Sequence, residues 1–450
     1  MSRYIPNTQE DRAQMLSELG LSDIGELFSD IPKEMKLDRM PDLPHSLSEQ
    51  ELASLMRGIA RKNTHCEETA CFLGAGSYDH FIPAIVKHVI SKPEFYTSYT
   101  PYQPEISQGM LQAIFEYQSM ICRLTGMDVS NASMYDGATA LAEAALMALR
   151  ATGGKKVLIS RGVHPQYRDV LETYAKYNEI EIEEIALTSL KTDMASLAAC
   201  MKDRNIAAVI VQSPNFFGNI EDLKCVAEFA AGKGALSIAC VDPISLGLIQ
   251  SPGECGVDIA VGDGQPLGNP MNYGGPTLGF LAAKKELLRK IPGRIVGQTK
   301  DHEGKRGFVL TLQAREQHIR REKAISNICS NQALNALAAT TYLTVMGKEG
   351  LKEAANLCLQ KSHYAMDQLL ATGKFEKVSD APFVKEFAVK ALNENVAHIN
   401  KRLLEHGIIG GMELERLFPE LRGYWLIAVT EKRTKKEIDN MVRIAAGGDR

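Results

Sequence analysis

Hydrophobic residues recur along this chain with two different periods, and the alternation between them sets the expected architecture. Residues 48–62 (SEQELASLMRGIARK) carry apolar side chains at helical spacing behind Ser48, while the preceding IPKEMKLDRMPDLPH is broken by prolines. Residues 1–65 therefore read as a helical, peripheral arm. From residue 106 the spacing strengthens. ISQGMLQAIFEYQSMICRLTG is an amphipathic helix stopped by Gly126, and TALAEAALMALRATGG (139–154) is a second one stopped by glycines. Short apolar runs then alternate with helical stretches: strands KKVLIS, IEIEEI, AAVIVQ, ALSIACVD, IAVGDG and LGFLAAKK, and helices around DVLETYAKYN, MASLAACMKD and DLKCVAEFAAGKG. Such strand–helix–strand units predict an α/β fold, a mainly parallel sheet covered by helices on both faces.

A long helix is expected from 322 to 371. Beyond it, strand KEFAVK (385–390), helix NENVAHINKRLLEHG, strand GYWLIAVTE and helix KKEIDNMVRIA predict a smaller two-layer module. The expected division is an arm (1–65), a large domain (66–345) and a small C-terminal α/β domain (346–450).

Composition narrows the function. Of the 450 residues 45% are hydrophobic, enough for a large core, and 51 basic against 55 acidic residues leave a net charge of −4. That balance lacks the basic footprint that nucleic acid or an anionic membrane surface demands. The longest apolar runs, such as IAAVIV (206–211), are far shorter than the roughly 20 residues of a membrane span. The polar, acid-containing residues at the start resemble neither a secretory nor a transit signal, so a cytoplasmic location is expected. Nine cysteines without a C-x-x-C pair read as reduced core residues, and ten histidines without ligand spacing give no metal site.

A parallel sheet binds ligands beyond the carboxyl ends of its strands, so the polar residues there are the candidates for chemistry. Gly137 and Thr139 open a helix whose backbone N–H groups are suited to a phosphate. His164, after KKVLIS, is placed to stack on a flat ring, although histidines near helix starts more often cap or fill. Asn215 follows AAVIVQ. Asp242 ends ALSIACV, where a carboxylate can hold a ring-nitrogen proton or simply shape a turn. The basic run Arg315 to Lys323 reads as a solvated helix face, with a docking surface for an acidic carrier protein as the alternative.

In this order and on this topology, these positions resemble the fold-type I pyridoxal-phosphate (PLP) enzymes of the aspartate aminotransferase superfamily. A closer resemblance is carried by YTPYQPEISQG (99–109) together with YIPNTQEDRAQML, LFSDIPKE, GAGSYDHFIP (74–83), QSPNFFGNIED (212–222), NYGGPTLGF (272–280), REKAISNICSNQAL (321–334) and AVTEKRTKKEID. Together they are similar to the glycine-cleavage P-protein family, which decarboxylates glycine.

One departure matters most. An enzyme of this kind needs a lysine near the end of the strand after the aspartate strand, because only an amine forms a Schiff base. Gln265 stands there, and no lysine occurs between Lys233 and Lys284. No catalytic residue is therefore assigned to this chain. The resemblance implies a separate N-terminal half that pairs with a lysine-bearing subunit 2 in a heterotetramer. Subunit 2 would hold PLP covalently. The assembly would decarboxylate glycine and pass the aminomethyl group to the lipoamide of H-protein. In such enzymes the active site lies at a subunit interface, so Tyr99 and Tyr102 are expected to reach the partner's site, with Glu105 and Gln108 holding the loop. Gly137, Thr139, His164, Asn215 and Asp242 are then a degenerate cofactor site. Two other readings stay open: a self-sufficient PLP enzyme whose lysine lies elsewhere, and a scaffold or regulatory protein that kept the fold and lost the chemistry.

Overall fold

A computed structural model describes residues 6–37, 39–202, 205–275 and 277–448. The chain divides into two units, one ending at Thr64 and the other beginning at His65. In the first, Thr8 caps the Gln9–Glu18 helix and Ser48 caps the Glu49–Ala60 helix, each through a capping box, and neither helix has a buried residue.

The second unit is built on a seven-stranded sheet. Its strands are β1 (Val129–Ser130), β2 (Lys156–Ser160), β3 (Glu181–Ile185), β4 (Ile206–Ser213), β5 (Leu236–Val241), β6 (Ile259–Asp263) and β7 (Gly279–Ala283), in the spatial order β1-β7-β6-β5-β4-β2-β3. Neighbours from β6 to β3 pair in parallel, and β7 runs antiparallel to both β6 and β1. Alternate residues of the same strand feed opposite cores. Leu158, Val209, Val211, Ala239 and Ala260 pack on one face, and Val157, Ile159, Ile210, Ile238 and Ile259 on the other. Both faces are covered, which is why these strands read as unbroken apolar runs. Each such buried Val, Leu or Ile contributes about 1.5–3 kcal/mol of transfer free energy.

The expected helices fall where the periodicity put them. Gln108–Thr125 ends at Gly126 (φ +69°) and Gly137–Thr152 at Gly153 (φ +75°), left-handed positions that glycine adopts without strain. The long helix differs from its expectation: it runs Ala333–Ala371, and Gly347 (φ +58°) interrupts it. Residues before it form short turns. The Arg315 to Lys323 run is likewise no single helix face but three short turns, with Arg315 buried and bonded to the Ile291 carbonyl. The sequence reading also missed an antiparallel hairpin, Ile295–Lys300 with Arg306–Thr311.

The C-terminal module is a four-stranded antiparallel sheet (Phe375–Lys377, Glu386–Ala391, Tyr424–Ala428, Met412–Glu413) under helices Val396–Glu405 and Lys435–Ala445. Its core of Phe387, Val389, Trp425 and Ile427 is separate from the two cores of the large sheet. Among the described residues no helix is long and apolar enough to cross a membrane.

Candidate functional site

The carboxyl ends of β2, β4, β5 and β6 meet residues 74–81 and, from the C-terminal module, residues 385–386. Asp242 follows β5 and is partly buried, its side chain 13% exposed. Its Oδ1 lies 2.7 Å from Lys385 Nζ, and its Oδ2 accepts the backbone N–H (2.9 Å) and hydroxyl (2.5 Å) of Ser245. Burial alone would raise this carboxyl, but the charge and hydrogen bond of Lys385 outweigh it and hold Asp242 below the usual carboxylate range. Lys385 comes from the far module, 143 residues along the chain. Its ammonium also lies 3.2 Å from His80 Nε2 and 3.7 Å from the centroid of the Tyr78 ring.

Gln265 is locked on both sides of its amide. Oε1 accepts the Tyr78 N–H at 3.0 Å, while Nε2 donates to the Tyr78 and Asn269 carbonyls at 3.1 and 2.8 Å. The Tyr78 hydroxyl donates to Glu386 Oε2 (2.8 Å), whose Oε1 accepts the Ala75 N–H (2.7 Å). Burial pushes Glu386 up to about 7, against the two hydrogen bonds and the neighbouring Lys385 charge. Asp263 is pushed up to about 6 by burial, opposed by N–H donors from Gln265 (2.8 Å) and Gly137 (3.1 Å).

The expected phosphate cradle is consequently spent internally. The Gly137 N–H serves Asp263, the Thr139 N–H bonds Asp136 Oδ1 at 2.7 Å, and the Thr139 hydroxyl closes the cap on Asp136. A Cβ at Gly137 would lie 2.2 Å from the Tyr167 hydroxyl, which sits over the helix start. His164 does not offer its face to a ligand. It stacks on Tyr167 (4.9 Å between centroids, 25°), caps the Pro165–Lys176 helix through Nδ1, and bonds the Ala75 carbonyl through Nε2. Burial lowers its pKa, as suits a neutral ring with those two roles. Asn215 does not face the cavity at all. Its amide ties together Leu190, Phe217, Asn219 and Glu221 within the turn after β4.

What remains between Gly76, Tyr78, His164, Tyr167, Asp242 and Asp263 is a cavity of about 40 Å³. Sites for small organic ligands run from roughly 300 Å³ upward. Of the expected cofactor set, His164 and Asp242 line this space, and the Lys385 ammonium already faces Asp242. These residues do not fit pyridoxal phosphate: no amine stands at Gln265, the Gly137 and Thr139 N–H groups are taken, and about 40 Å³ is left for a ring. Lys385 is an amine beside the cavity, bonded to its wall at Asp242. It meets the carboxylate that would hold a ring nitrogen, the end of the ring opposite the aldehyde.

The Tyr-rich segment has the opposite character. Tyr102 donates to Asn331 Oδ1 at 2.9 Å, and the Arg294 guanidinium lies 3.7 Å from its ring centroid. The Gln108 side chain exchanges two 2.9 Å hydrogen bonds with the backbone of Phe308 and donates a third to the Pro104 carbonyl. Between these anchors Glu105 and Ile106 are exposed, and Tyr99, just before them, is 82% exposed. The sequence reading missed Tyr78, His80, Lys385 and Glu386. Adjacent Lys and Glu inside the apolar run FVKEFAV were the available signal, since buried charges are rare unless paired.

Residues 2–445 match the family model for the glycine cleavage system P-protein. The chain is 56% identical to a probable glycine dehydrogenase (decarboxylating) subunit 1 of Desulforamulus reducens, over 97% of this chain and 98% of that one. It is 55% identical to the protein of the same name from Carboxydothermus hydrogenoformans, over 100% of both. A solved glycine decarboxylase (P-protein) of the glycine cleavage system, in inhibitor-bound form, superposes with a TM-score of 0.90 at 43% identity, covering 99% of this chain and 100% of that chain. A Lactobacillus brevis glutamate decarboxylase shares the fold alone, with a TM-score of 0.67 at 13% identity over 92% of this chain and 95% of that one. With a mainly parallel α/β sheet of the fold-type I PLP-dependent class and a full-length match, this chain belongs to the glycine cleavage system P-protein family.

Proposed function

We propose that this chain is the half of a glycine-decarboxylating assembly that carries no cofactor, and that it completes the active site of a lysine-bearing partner, subunit 2. The observation that carries this reading is Gln265: its amide is fully hydrogen-bonded at the strand end where the chemistry needs an amine. The relatives' name, which numbers them as subunit 1, supports the existence of a partner.

On this reading PLP, held by subunit 2, supplies the electron sink for loss of CO2 from glycine, and lipoylated H-protein receives the aminomethyl group. This chain's contribution is steric and polar. Tyr102 and Gln108 fix the 96–109 segment from within, and Tyr99 presents a phenol outward for substrate or for the partner's cofactor phosphate. Alone, the chain is inactive.

The test is reduction with borohydride after incubation with PLP, followed by intact mass and peptide mapping, for this chain alone and with subunit 2. The expected adduct is stoichiometric on subunit 2 and absent here, and glycine decarboxylation with H-protein requires both chains. A stoichiometric lysine adduct on this chain, or full activity of subunit 2 by itself, overturns the proposal.

A further inference from the structure

The cluster beside the cavity holds more than leftover residues, because the contacts of Lys385 surround an ammonium group. An ammonium has three donors and no acceptor. Here it faces the Asp242 carboxylate at 2.7 Å, His80 Nε2 at 3.2 Å and the face of Tyr78 at 3.7 Å, and its side chain is 4% exposed. The wall behind each partner is itself fixed. Asp242 is held by Ser245, and Tyr78 by Gln265 and Glu386. His80 bonds through Nδ1 to Glu431 Oε2 at 2.6 Å. Burial would raise Glu431, but the hydrogen bonds from His80 Nδ1 and the Phe81 N–H bring it down to about 2. His80, Cys358 and Glu431 have donor atoms close enough together for a metal ion, yet Lys385 stands at His80 and Lys361 bonds the Glu431 carbonyl, and these positive charges oppose a cation there.

We propose that Asp242, His80 and the Tyr78 ring form a monocation site, and that Lys385, delivered by the C-terminal module, is its built-in ligand. The carboxylate that in a cofactor-bearing relative of this fold would face a protonated ring nitrogen faces an alkylammonium instead. The site thereby joins the C-terminal module to the ends of the large sheet. This goes beyond the proposed function and stands whether or not a partner subunit completes the enzyme.

Chemical rescue tests it. Lys385→Ala removes three methylenes and the ammonium, a group with the composition of propylammonium, and leaves the partly buried Asp242 without its cation. The variant's thermal midpoint is expected to fall by about 5 °C. Propylammonium is expected to recover at least half of that loss in a saturable way, while sodium chloride at equal ionic strength recovers none. Adding Asp242→Asn to the variant is expected to abolish the rescue. Absence of rescue in a folded Lys385→Ala protein overturns the proposal, and so does a midpoint equal to the parent's. If Lys385→Ala does not fold, the Asp242→Asn/Lys385→Met pair decides. With both charges removed it is expected to fold and melt within a few degrees of the parent. An insoluble double variant overturns the proposal.

Discussion

The strand-end cavity and the 96–109 segment are both rich in polar and aromatic side chains, and the two use them in opposite directions. In and around the cavity the carboxylates, the amide, the imidazoles and the ammonium find partners within the same chain, and about 40 Å³ is left over. In the segment, Tyr102 and Gln108 are anchored by hydrogen bonds, while the Tyr99 phenol faces solvent. A polar residue at a strand end therefore says where chemistry could be, whereas its hydrogen-bond partners say whether it is still available.

The largest effect that would break this comparison comes from opening the inward region by force. Gly218 has φ +88°, and a Cβ there would lie 1.8 Å from the Glu386 carbonyl oxygen, a rigid backbone atom. Gly218→Ala should cost more than about 3 kcal/mol, seen as loss of soluble protein or a large fall in the denaturation midpoint. A parent-like melt would mean that the close approach of the two modules is dispensable.

Gln265→Lys sharpens the same region. It restores an amine but strips the Tyr78 N–H of its acceptor, so it should destabilise by about 1–3 kcal/mol and still give no borohydride-trapped PLP adduct. An adduct would show that space, rather than the missing lysine alone, had been misjudged.

Effects on the outward segment are smaller and of a different kind. Tyr99→Phe should lower glycine decarboxylation by the reconstituted complex about fivefold to tenfold, the worth of one hydrogen bond, with melting and assembly unchanged. Tyr102→Phe should instead cost about 1 kcal/mol of stability through the lost bond to Asn331, measured by denaturant titration. If the two variants behaved alike, the division into anchor and probe would fail.

The pH dependence is the subtlest test. Glu386 and Asp263, at about 7 and about 6 in the folded chain, lie above their unfolded values. The unfolded chain gives up these protons first, so their contribution to stability is complete below about pH 4 and is lost as pH rises through 6 and 7. Glu386→Gln should flatten the decline in stability between pH 5 and 8. An unchanged slope would place the titration elsewhere.

Much of the architecture was legible because burial on both faces leaves continuous apolar runs and helix ends carry glycine, as at Gly126 and Gly153. The Ile295–Lys300 and Arg306–Thr311 hairpin was not, because its residues run from buried to exposed with few apolar positions in strict alternation. The candidate site was half legible. Gly137, Thr139, His164, Asp242 and Gln265 do cluster at the strand ends, since the topology of a parallel sheet dictates that. Asn215 belongs to a neighbouring turn instead. The residues that complete the hydrogen-bonded cluster come from positions 78–80 and 385–386, which no local pattern connects to the sheet.

The sequence by itself determined the sheet, its helices and the absence of an amine at Gln265, because periodicity, caps and residue chemistry are local properties. Only the tertiary structure decided what fills the cavity, which N–H groups are already spent and which tyrosine is free. Those outcomes depend on contacts such as the one between Lys385 and Asp242, 143 residues apart, which form when the C-terminal module packs against the large sheet.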